Sequence, residues 1–383
     1  MTSKRATLLS LTCVVLTLAA MACKQPPADE SPPVRFLGAT QSAQFARAFE
    51  PRGFVLPEDL GPHFSFQTEW WYTTGQLIGD DGHRYGFQLT FFRRGLTPGA
   101  PPERPGLATN QIYFAHLALT DVSSRRHAAF ERFSRGSGEL SGAERAPFRV
   151  WLDDWEIVAL QDDSRVFRLT ARDADISLEL ELEALKPVVA HGHDGLSAKS
   201  GEPGNASYYL SFTRMAAQGA LSIAGRSAEV TGEAWFDHEW STDALGADSV
   251  GWDWFSLQLD DGRELMYFQM RREDDAPEPA SSGTLVHADG SIRRLSSRDV
   301  ALAAAEHWTS PHSGARYPSA WRLTVPSAGV DLIVTPLVAD QELRLSFTYW
   351  EGAVDARMPG GLEPIGRGYA ELTGYASSME GVF

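Results

Sequence analysis

The sequence WWYTTGQLIGDDGHRYGFQLTFFRR at residues 70–94 occurs again, in altered form, as WDWFSLQLDDGRELMYFQMRR at residues 252–272. Both copies open on aromatic residues, pass through a Gln-Leu pair to the turn sequence Asp-Asp-Gly, and end on two arginines. Asp-Gly between runs of apolar and β-branched residues is a strong signal for a tight β-hairpin. Each copy therefore predicts two antiparallel strands, and the recurrence predicts a duplicated unit.

Two later segments repeat in the same order. Residues 210–213 (LSFT) lead to 232–237 (GEAWFD), and residues 345–348 (LSFT) lead to 366–371 (GRGYAE). Coincidence could explain either match alone, but hardly both in the same order. We therefore interpret the chain as two units that open and close with similar strands.

Short runs of β-branched and aromatic residues, separated by turn residues, fill the chain beyond residue 60. Helical periodicity is confined to residues 42–49 and 300–307. These patterns predict an all-β protein of barrel or sandwich architecture with few short helices. We place the N-terminal domain at residues 51–245 and the C-terminal domain at 246–383. A closed barrel leaves room for one small apolar ligand, and the seam between two barrels offers a further cleft.

The N-terminus has the pattern of an export signal. Residues 8–21 are apolar, too short to span a bilayer as a helix of about 20 residues, and LAAMAC at 18–23 resembles a bacterial lipobox. We expect a lipoprotein signal peptide at 1–22, a lipidated Cys23, and a flexible proline-rich tether at 23–50. The alternative is an ordinary signal peptide in which the cysteine occurs by chance.

The expected anchor places the protein at a membrane, facing the periplasm. Lys24, rather than an aspartate, follows the cysteine. A lysine at this position favours sorting of the lipoprotein to the outer membrane. The other cysteine, Cys13, lies inside the apolar run. Lipidation of Cys23 therefore leaves no thiol in the mature chain and excludes thiol chemistry.

Charge and missing motifs exclude several function classes. The net charge of -16 repels phosphate backbones, so nucleic acid is not expected as a partner. The sequence has no Gly-x-Ser-x-Gly elbow, no His-Glu-x-x-His helix and no phosphate-binding glycine loop. We expect no cofactor and no metal. His191-Gly192-His193-Asp194 offers metal-ligating side chains, but a glycine-rich loop is a poor scaffold for them.

The densest polar and aromatic cluster is WFDHEW at residues 235–240, followed by GWDWF at 251–255. Alternate residues of a strand share a face, so Asp237 points one way while His238 and Trp240 point the other. In the second unit Leu372, Thr373 and Gly374 stand where the first has His238, Glu239 and Trp240. We therefore place the candidate site in the first unit. The alternative is a core histidine bonded to a carboxylate, with tryptophans filling a barrel mouth.

A second candidate cluster is Glu69-Trp70-Trp71-Tyr72, whose aromatic residues could line the same cleft. Glu69 could line it too, or could pair with an arginine. Tyr208 lies on a strand that either adds an aromatic wall to the cleft or packs in the core.

These motifs resemble the carotenoid 1,2-hydratase (hydroxyneurosporene synthase) family. The resemblance rests on EWWY at residues 69–72, SYY at 207–209, WFDHEW at 235–240 and GRGYAELTGY at 366–375, and it covers most of residues 55–380. It implies two tandem lipocalin-like (calycin) domains. It also implies an exported lipoprotein, and some members of that kind are encoded beside ABC transporter components.

The resemblance further implies addition of water across a C=C bond of an isoprenoid or polyene, without cofactor. The His-x-Trp pair of the family falls on His238 and Trp240, and its downstream acid falls on Asp253, although Gly251 stands where a tyrosine is expected. Asp253 would then protonate the alkene and His238 would accept a proton from water. The tryptophans that would stabilise the cation by cation–π attraction are Trp240, Trp252 and Trp254.

The further ligand-binding residues expected on this hypothesis are Glu69, Trp71, Tyr72, Asp237 and Tyr208. The alternative function is a non-catalytic periplasmic carrier that passes an apolar ligand to an ABC-type transporter. The two differ in one structural feature. An enzyme should point Asp253 and His238 into one closed apolar cavity, whereas a carrier would leave them facing solvent or an arginine.

Overall fold

The computed structural model describes residues 42–102, 109–137, 139–161, 164–243, 245–246, 249–274 and 278–379. The expected signal peptide and the expected lipidated Cys23 lie outside the described residues. The described residues belong to one compact unit, so the domain division at residue 245 stays a prediction. None of the helices among them is long and apolar enough to cross a membrane.

Strands form nearly all of the regular structure in the described ranges. The first sheet has 13 strands: β1 Thr68–Gly79, β2 Arg84–Gly95, β3 Gln111–Asp121, β4 Arg126–Arg135, β5 Ser141–Arg145, β6 Phe148–Leu152, β7 Trp155–Ala159, β8 Val166–Asp173, β9 Ile176–Ala184, β10 Val189–Ala190, β11 Leu196–Ala198, β12 Ala206–Ile223 and β13 Arg226–Asp243. The second has 10 strands: β14 Ser249–Leu259, β15 Glu264–Arg272, β16 Ser282–Val286, β17 Ile292–Ser296, β18 Ala301–Thr309, β19 Arg316–Val325, β20 Val330–Pro336, β21 Glu342–Arg344, β22 Thr348–Arg357 and β23 Pro364–Leu372. Single 3-10 turns occur at Ser42–Gln44, Glu58–Leu60 and Pro326–Ala328. The predicted all-β class, with two barrel-like sheets and few short helices, is confirmed.

The two sheets share one strand order. The first runs β4-β3-β2-β1-β13-β12-β9-β8-β7-β6-β5, and the second runs β17-β16-β15-β14-β23-β22-β20-β19-β18. Both begin with a four-strand meander, and the first strand of each meander pairs with the last strand of its unit. The first sheet continues for two further strands. The duplication inferred from the hairpin sequences therefore appears in the topology.

Cross-strand register shows which residues correspond in the two units. Tyr72 on β1 lies opposite Asp237 on β13. Trp254 on β14 lies opposite Glu371 on β23 in the same way. Asp237 and Glu371 are thus equivalent positions, as the matched segments 232–237 and 366–371 indicate.

The two LSFT segments, in contrast, do not occupy equivalent positions in the cross-strand register of the two sheets. Ser211 lies opposite Asp237, but the residue opposite Glu371 is Glu351 rather than Ser346. Four matching residues are too few to align two strands. Any short alternation of apolar and hydroxyl residues fits a strand, because side chains point to opposite faces with a period of two residues. Cross-strand hydrogen bonds decide the register instead.

The helical pattern at residues 300–307 is also misleading, because this segment lies in strand β18. Its alanines favour a helix locally. Pairing with β19 prevails, since Leu302 and Trp308 then pack against the second core from an otherwise exposed edge strand.

Among the described residues, three of the five apolar clusters account for most of the core. The largest lies inside the first sheet and the second inside the other sheet. The third joins residues of both sheets, with Tyr72 and Trp235 from the first and Trp254 and Phe268 from the second. Strand β1 is consequently buried along almost its whole length, because one face lines its own barrel and the other faces the seam.

Candidate active site in the seam

A cavity of about 90 Å³ lies in the seam between the sheets. Strands β1, β2 and β13 of the first sheet and β14 and β15 of the second each direct two alternate side chains into it, and β12, β22 and β23 contribute one each. Its lining includes Trp70, Tyr72, Asp237, Glu239, Trp252, Trp254 and Glu371. Trp70, Trp252 and Glu371 are half-buried, whereas the carboxyl groups of Asp237 and Glu239 are buried. The predicted ligand-binding residues Tyr72, Asp237, Trp252 and Trp254 are therefore brought together on one cavity.

Glu371 is a cavity carboxyl group whose surroundings favour the protonated form. Its Oε2 accepts a hydrogen bond of 2.7 Å from Trp252 Nε1. Burial, with a smaller contribution from the charges of Asp237 and Glu239, raises the pKa of Glu371 to about 7 against the lowering effect of the Trp252 bond. Glu351 lies opposite Glu371 on β22, and burial next to Glu371 raises its own pKa well above the ordinary value. Glu371 can therefore hold a proton near neutral pH.

Asp237 is held by three donors. Tyr209 Oη donates to Oδ2 at 2.6 Å, Trp235 Nε1 donates to Oδ1 at 2.6 Å, and the Ser211 hydroxyl also donates to Oδ1. Burial raises the pKa of Asp237 to about 7, although these three bonds act to lower it. Because all three donors favour the charged form, Asp237 is better prepared than Glu371 to carry a negative charge.

His191 is linked to Asp237 through the hydroxyl group of Ser211. Its Nε2 lies 2.7 Å from Ser211 Oγ and its Nδ1 lies 2.8 Å from Thr284 Oγ1. Burial, together with the nearby charge of Lys199, lowers the pKa of His191 to about 3, so the ring is neutral. Both ring nitrogens are thus in hydrogen bonds with hydroxyl groups, and the neighbouring His193 is exposed on the surface. His191 and His193 do not form a metal site in this structure.

Glu239, the third carboxyl group of the cavity, is paired. Lys199 Nζ lies 2.7 Å from Glu239 Oε1, and the Ser207 hydroxyl donates to the same oxygen. The Lys199 ammonium also lies 4.3 Å from the ring centroid of Phe268, a cation–π distance. The cavity therefore holds one buried ion pair beside its two protonatable acids.

His238 and Trp240 face away from the cavity, into the first barrel. His238 Nε2 lies 2.9 Å from Glu69 Oε1, and its Nδ1 lies 2.9 Å from the backbone oxygen of Asp59. Trp71 stacks on the His238 ring at a centroid distance of 4.9 Å. The buried Glu69 also pairs with Arg93 at 2.7 Å. Four expected site residues, His238, Trp240, Trp71 and Glu69, therefore belong to a buried polar network of the barrel and not to the seam.

The same network contains a set of side chains with metal-ligand character. One ligand atom from each of His63, Glu69 and His238 lies within 4.8 Å of the others. Glu69 Oε1 is already hydrogen-bonded to both rings, and its Oε2 is bound to the Arg93 guanidinium. The arginine supplies the positive charge that a metal ion would bring, so the cluster is satisfied as a hydrogen-bonded ion pair.

Asp253 points away from the cavity as well, because it alternates with Trp252 and Trp254 along β14. Its oxygens accept bonds of 3.0 and 3.2 Å from Tyr375 Oη, and Arg271 Nε lies 3.2 Å from Oδ1. Burial raises the pKa of Asp253 to about 6, against the lowering effect of Arg271. Asp253 and His238 thus share no cavity, and Asp253 faces an arginine. The expected acid–base pair is not assembled by this structure.

Tyr208 is likewise remote from the seam. Its hydroxyl donates to the backbone oxygen of Glu50 at 2.9 Å, and its ring packs with Phe66 and Trp240. Sequence reasoning in turn missed Glu371, Tyr209 and Lys199 as cavity residues. The repeat contained the signal for Glu371, because it aligns Glu371 with Asp237.

Comparison with known proteins gives a family and a fold. A sequence model described as AttH-like matches residues 47–375. No curated protein matches the chain. A crystal structure assigned to AttH, from Nitrosomonas europaea, is 34% identical with a TM-score of 0.77, and the match covers 86% of this chain and 99% of that one.

Two further solved structures share the fold at low identity. Kievitone hydratase from Nectria haematococca is 15% identical with a TM-score of 0.62, covering 87% of this chain and 98% of that chain. CghA is 14% identical with a TM-score of 0.51, covering 88% of this chain and 96% of that chain. At such identities the likeness is one of fold alone.

Proposed function

The chain belongs to the AttH-like family, and we propose that it is a hydratase-like enzyme that protonates a C=C bond of an apolar, isoprenoid-like ligand in the seam cavity and adds water to it. One observation carries this proposal: two equivalent acids of the duplicated units, Asp237 and Glu371, meet at one aromatic cavity. A fold shared with kievitone hydratase is compatible with it.

Glu371 is the proton donor in this proposal. Protonating an alkene needs a carboxylic acid that stays neutral near pH 7, and desolvation among aromatic groups achieves this. Glu371 meets the requirement with a pKa of about 7, and its Oε1 can carry the proton while Oε2 accepts from Trp252. Asp237 is the complementary group, since its three donors stabilise a carboxylate that would attract the developing cation.

The aromatic side chains that line the cavity would stabilise the cationic intermediate of this reaction. Trp70, Trp252 and Trp254 line the cavity, and each indole face can contribute about 1–2 kcal/mol of cation–π attraction. The carbon faces of the indole rings carry no nucleophilic oxygen that could bond to the cation. The tryptophans therefore stabilise the cation without trapping it.

The cavity volume limits what part of a ligand reacts there. An engineered cavity of about 150 Å³ holds benzene, so a cavity of about 90 Å³ is far too small for a whole polyene and limits the ligand there to a small end group. Leu245 and Phe347, which also line the cavity, are half-buried. We infer that the end group is buried while the rest of the ligand leaves past these side chains.

The proposed cellular setting follows from the N-terminal sequence. The lipidated Cys23, the periplasm-facing anchor at the outer membrane and the ABC-type transporter partner belong to this proposal as well. Metabolic labelling with a radioactive fatty acid tests the anchor directly, because Cys23→Ser should abolish incorporation.

Isotope labelling tests the reaction. The protein is incubated in H2(18)O with lycopene, an acyclic carotene, or with kievitone, and products are analysed by mass spectrometry. Wild-type protein should add one labelled water, and Glu371→Gln should lower turnover at least about 100-fold, the low end of general acid catalysis. Glu363→Gln, which changes an exposed glutamate in the turn before β23, is the matched control and should react at the wild-type rate.

A carrier is the second candidate. Asp253 faces Arg271 and shares no cavity with His238, which is the arrangement expected of a carrier. The largely aromatic and aliphatic wall also favours it, because such a wall binds an apolar ligand without chemistry. Quenching of the cavity tryptophans measures binding separately from reaction. A ligand that quenches this fluorescence but never gains labelled water would refute the hydratase and support the carrier.

A further inference from the structure

The proposed hydration needs a group that takes a proton from water, and Tyr349 is placed for that role. Tyr349 lies on β22, is buried, and contributes to the cavity lining. It stands two residues before Glu351 on the same strand face, and Glu351 lies opposite Glu371. Tyr349 and Glu371 are therefore diagonal neighbours on adjacent strands, about 7–8 Å apart, and both line the cavity.

Tyr349 is connected to a histidine of the other sheet. Its hydroxyl lies 2.8 Å from Nδ1 of His116 on β3. The other ring nitrogen, Nε2, lies 2.9 Å from Oε1 of Glu131 on β4. Glu131 is anchored in turn by the Ser346 hydroxyl at 2.6 Å and the Ser346 backbone N–H at 3.1 Å. A glutamate, a histidine and a tyrosine thus form a continuous chain that ends at the cavity.

The ionisation of Glu131 sets the direction of these hydrogen bonds. Burial raises its pKa, but the hydrogen bonds from His116 and Ser346 outweigh burial and leave the pKa below the ordinary value. An ionised carboxylate only accepts, so His116 Nε2 must carry the proton. Burial lowers the pKa of His116, so the ring is neutral. Its Nδ1 is therefore unprotonated, and the Tyr349 hydroxyl donates to it. The ring nitrogen nearest the cavity is consequently a base.

Packing gives no reason for this polar chain. Ring centroids of Phe92 and Phe347 lie 5.2 and 5.1 Å from that of His116, which is fully buried. A carboxylate and an imidazole in such surroundings cost desolvation energy that apolar residues would not. Apolar side chains would hold β3 against β22 more simply.

We propose that Tyr349 is the proton acceptor for the attacking water, with His116 and Glu131 as positioning residues behind it. The inference rests on the proposed hydratase function. Glu371 gives its proton to one alkene carbon, and the water oxygen then bonds to the cationic carbon that this leaves. The water passes a proton to Tyr349 Oη as Tyr349 passes its own to His116 Nδ1, so alkene plus water gives an alcohol. The imidazolium, paired with Glu131, then loses that proton, and Glu371 is reprotonated from water.

Removal of one hydroxyl group tests the assignment. With whichever of lycopene or kievitone the wild type hydrates, Tyr349→Phe should lower kcat about 100-fold or more and change KM less than about threefold. Tyr317→Phe is the matched control, because Tyr317 is equally buried but donates to Glu342 inside the second core. This control should keep the wild-type kcat.

A spectroscopic measurement examines His116 independently of turnover. In protein with 15N-labelled histidine, the His116 ring should be neutral, protonated at Nε2 and bare at Nδ1. Glu131→Gln should lower kcat at least about tenfold and shift these ring signals, and it covers the case in which Tyr349→Phe does not fold.

The outcomes separate the two proposals. Absence of turnover by the wild type overturns the hydratase function. Turnover by the wild type together with an unchanged kcat in Tyr349→Phe overturns the role of Tyr349 alone. A His116 ring protonated at Nδ1 overturns it as well, because such a ring cannot accept the tyrosine proton.

Discussion

Replacing Glu371 by glutamine should change how the stability of the fold depends on pH. The folded-state pKa of Glu371 is about 7, raised from an ordinary value of 4.5 by burial and by neighbouring acids. Between these two pH values the native protein retains a proton that the unfolded chain has lost. Stability therefore falls as pH rises through this window, because the native state must either ionise a buried group or hold its proton. Glutamine cannot ionise, so the variant escapes this loss.

The size of the effect follows from the pKa. A difference between 4.5 and about 7, at about 1.4 kcal/mol for each pH unit, corresponds to about 3 kcal/mol. The free energy of unfolding of Glu371→Gln, relative to wild type, should therefore rise by about 3 kcal/mol between pH 4 and pH 8. For a urea dependence of about 3 kcal/mol per molar, the difference between the two midpoints should change by about 1 M.

Equilibrium urea unfolding at pH 4, 6 and 8 measures this quantity. Glu363→Gln is again the control, because its side chain is in water and its stability relative to wild type should change little with pH. A relative stability of Glu371→Gln that stays within about 0.5 kcal/mol across this range would refute the claim that Glu371 is an acid with a strongly raised pKa.

Two further substitutions test the separation between seam and barrel. Asp253→Asn should keep kcat within about threefold of wild type in the labelled-water assay, because Asp253 is held by Arg271 and Tyr375 outside the cavity. A loss of turnover with an intact fold would instead identify Asp253 as the acid. Glu69→Gln should destabilise the protein by about 3–5 kcal/mol in urea unfolding, because it leaves the buried Arg93 without its counter-charge. A cost below about 1 kcal/mol would show that this network contributes little to stability.

The duplicated hairpins made the fold class and the seam predictable. Asp-Gly turns and alternating aromatic residues are local signals, and local signals suffice to predict strands. The alternation along 235–240 correctly separated the face of Asp237 from the face of His238. It could not say which face belongs to the barrel interior and which to the seam, because both faces are apolar and both are buried.

The position of the acid shows the same limit. Trp252 and Trp254 were expected in the site, and both line the cavity, whereas Asp253 between them does not. On a strand the residue between two wall residues must point to the opposite face. The family resemblance alone predicts Asp253 as the acid, and this strand rule contradicts it. The repeat, which pairs Glu371 with Asp237, indicates Glu371 instead.

The sequence alone therefore established strands, turns, the repeat and the kinds of side chain available for chemistry, since each of these depends on neighbours within a few residues or on comparison of the chain with itself. Which acids meet, and which of them stay protonated, depends on packing between elements far apart in the chain. Tyr349, His116 and Glu131 come from both sheets, and Glu371 lies 134 positions after its counterpart Asp237. Burial and the charge of distant neighbours, which set their pKa values, exist only once the two sheets have closed on each other.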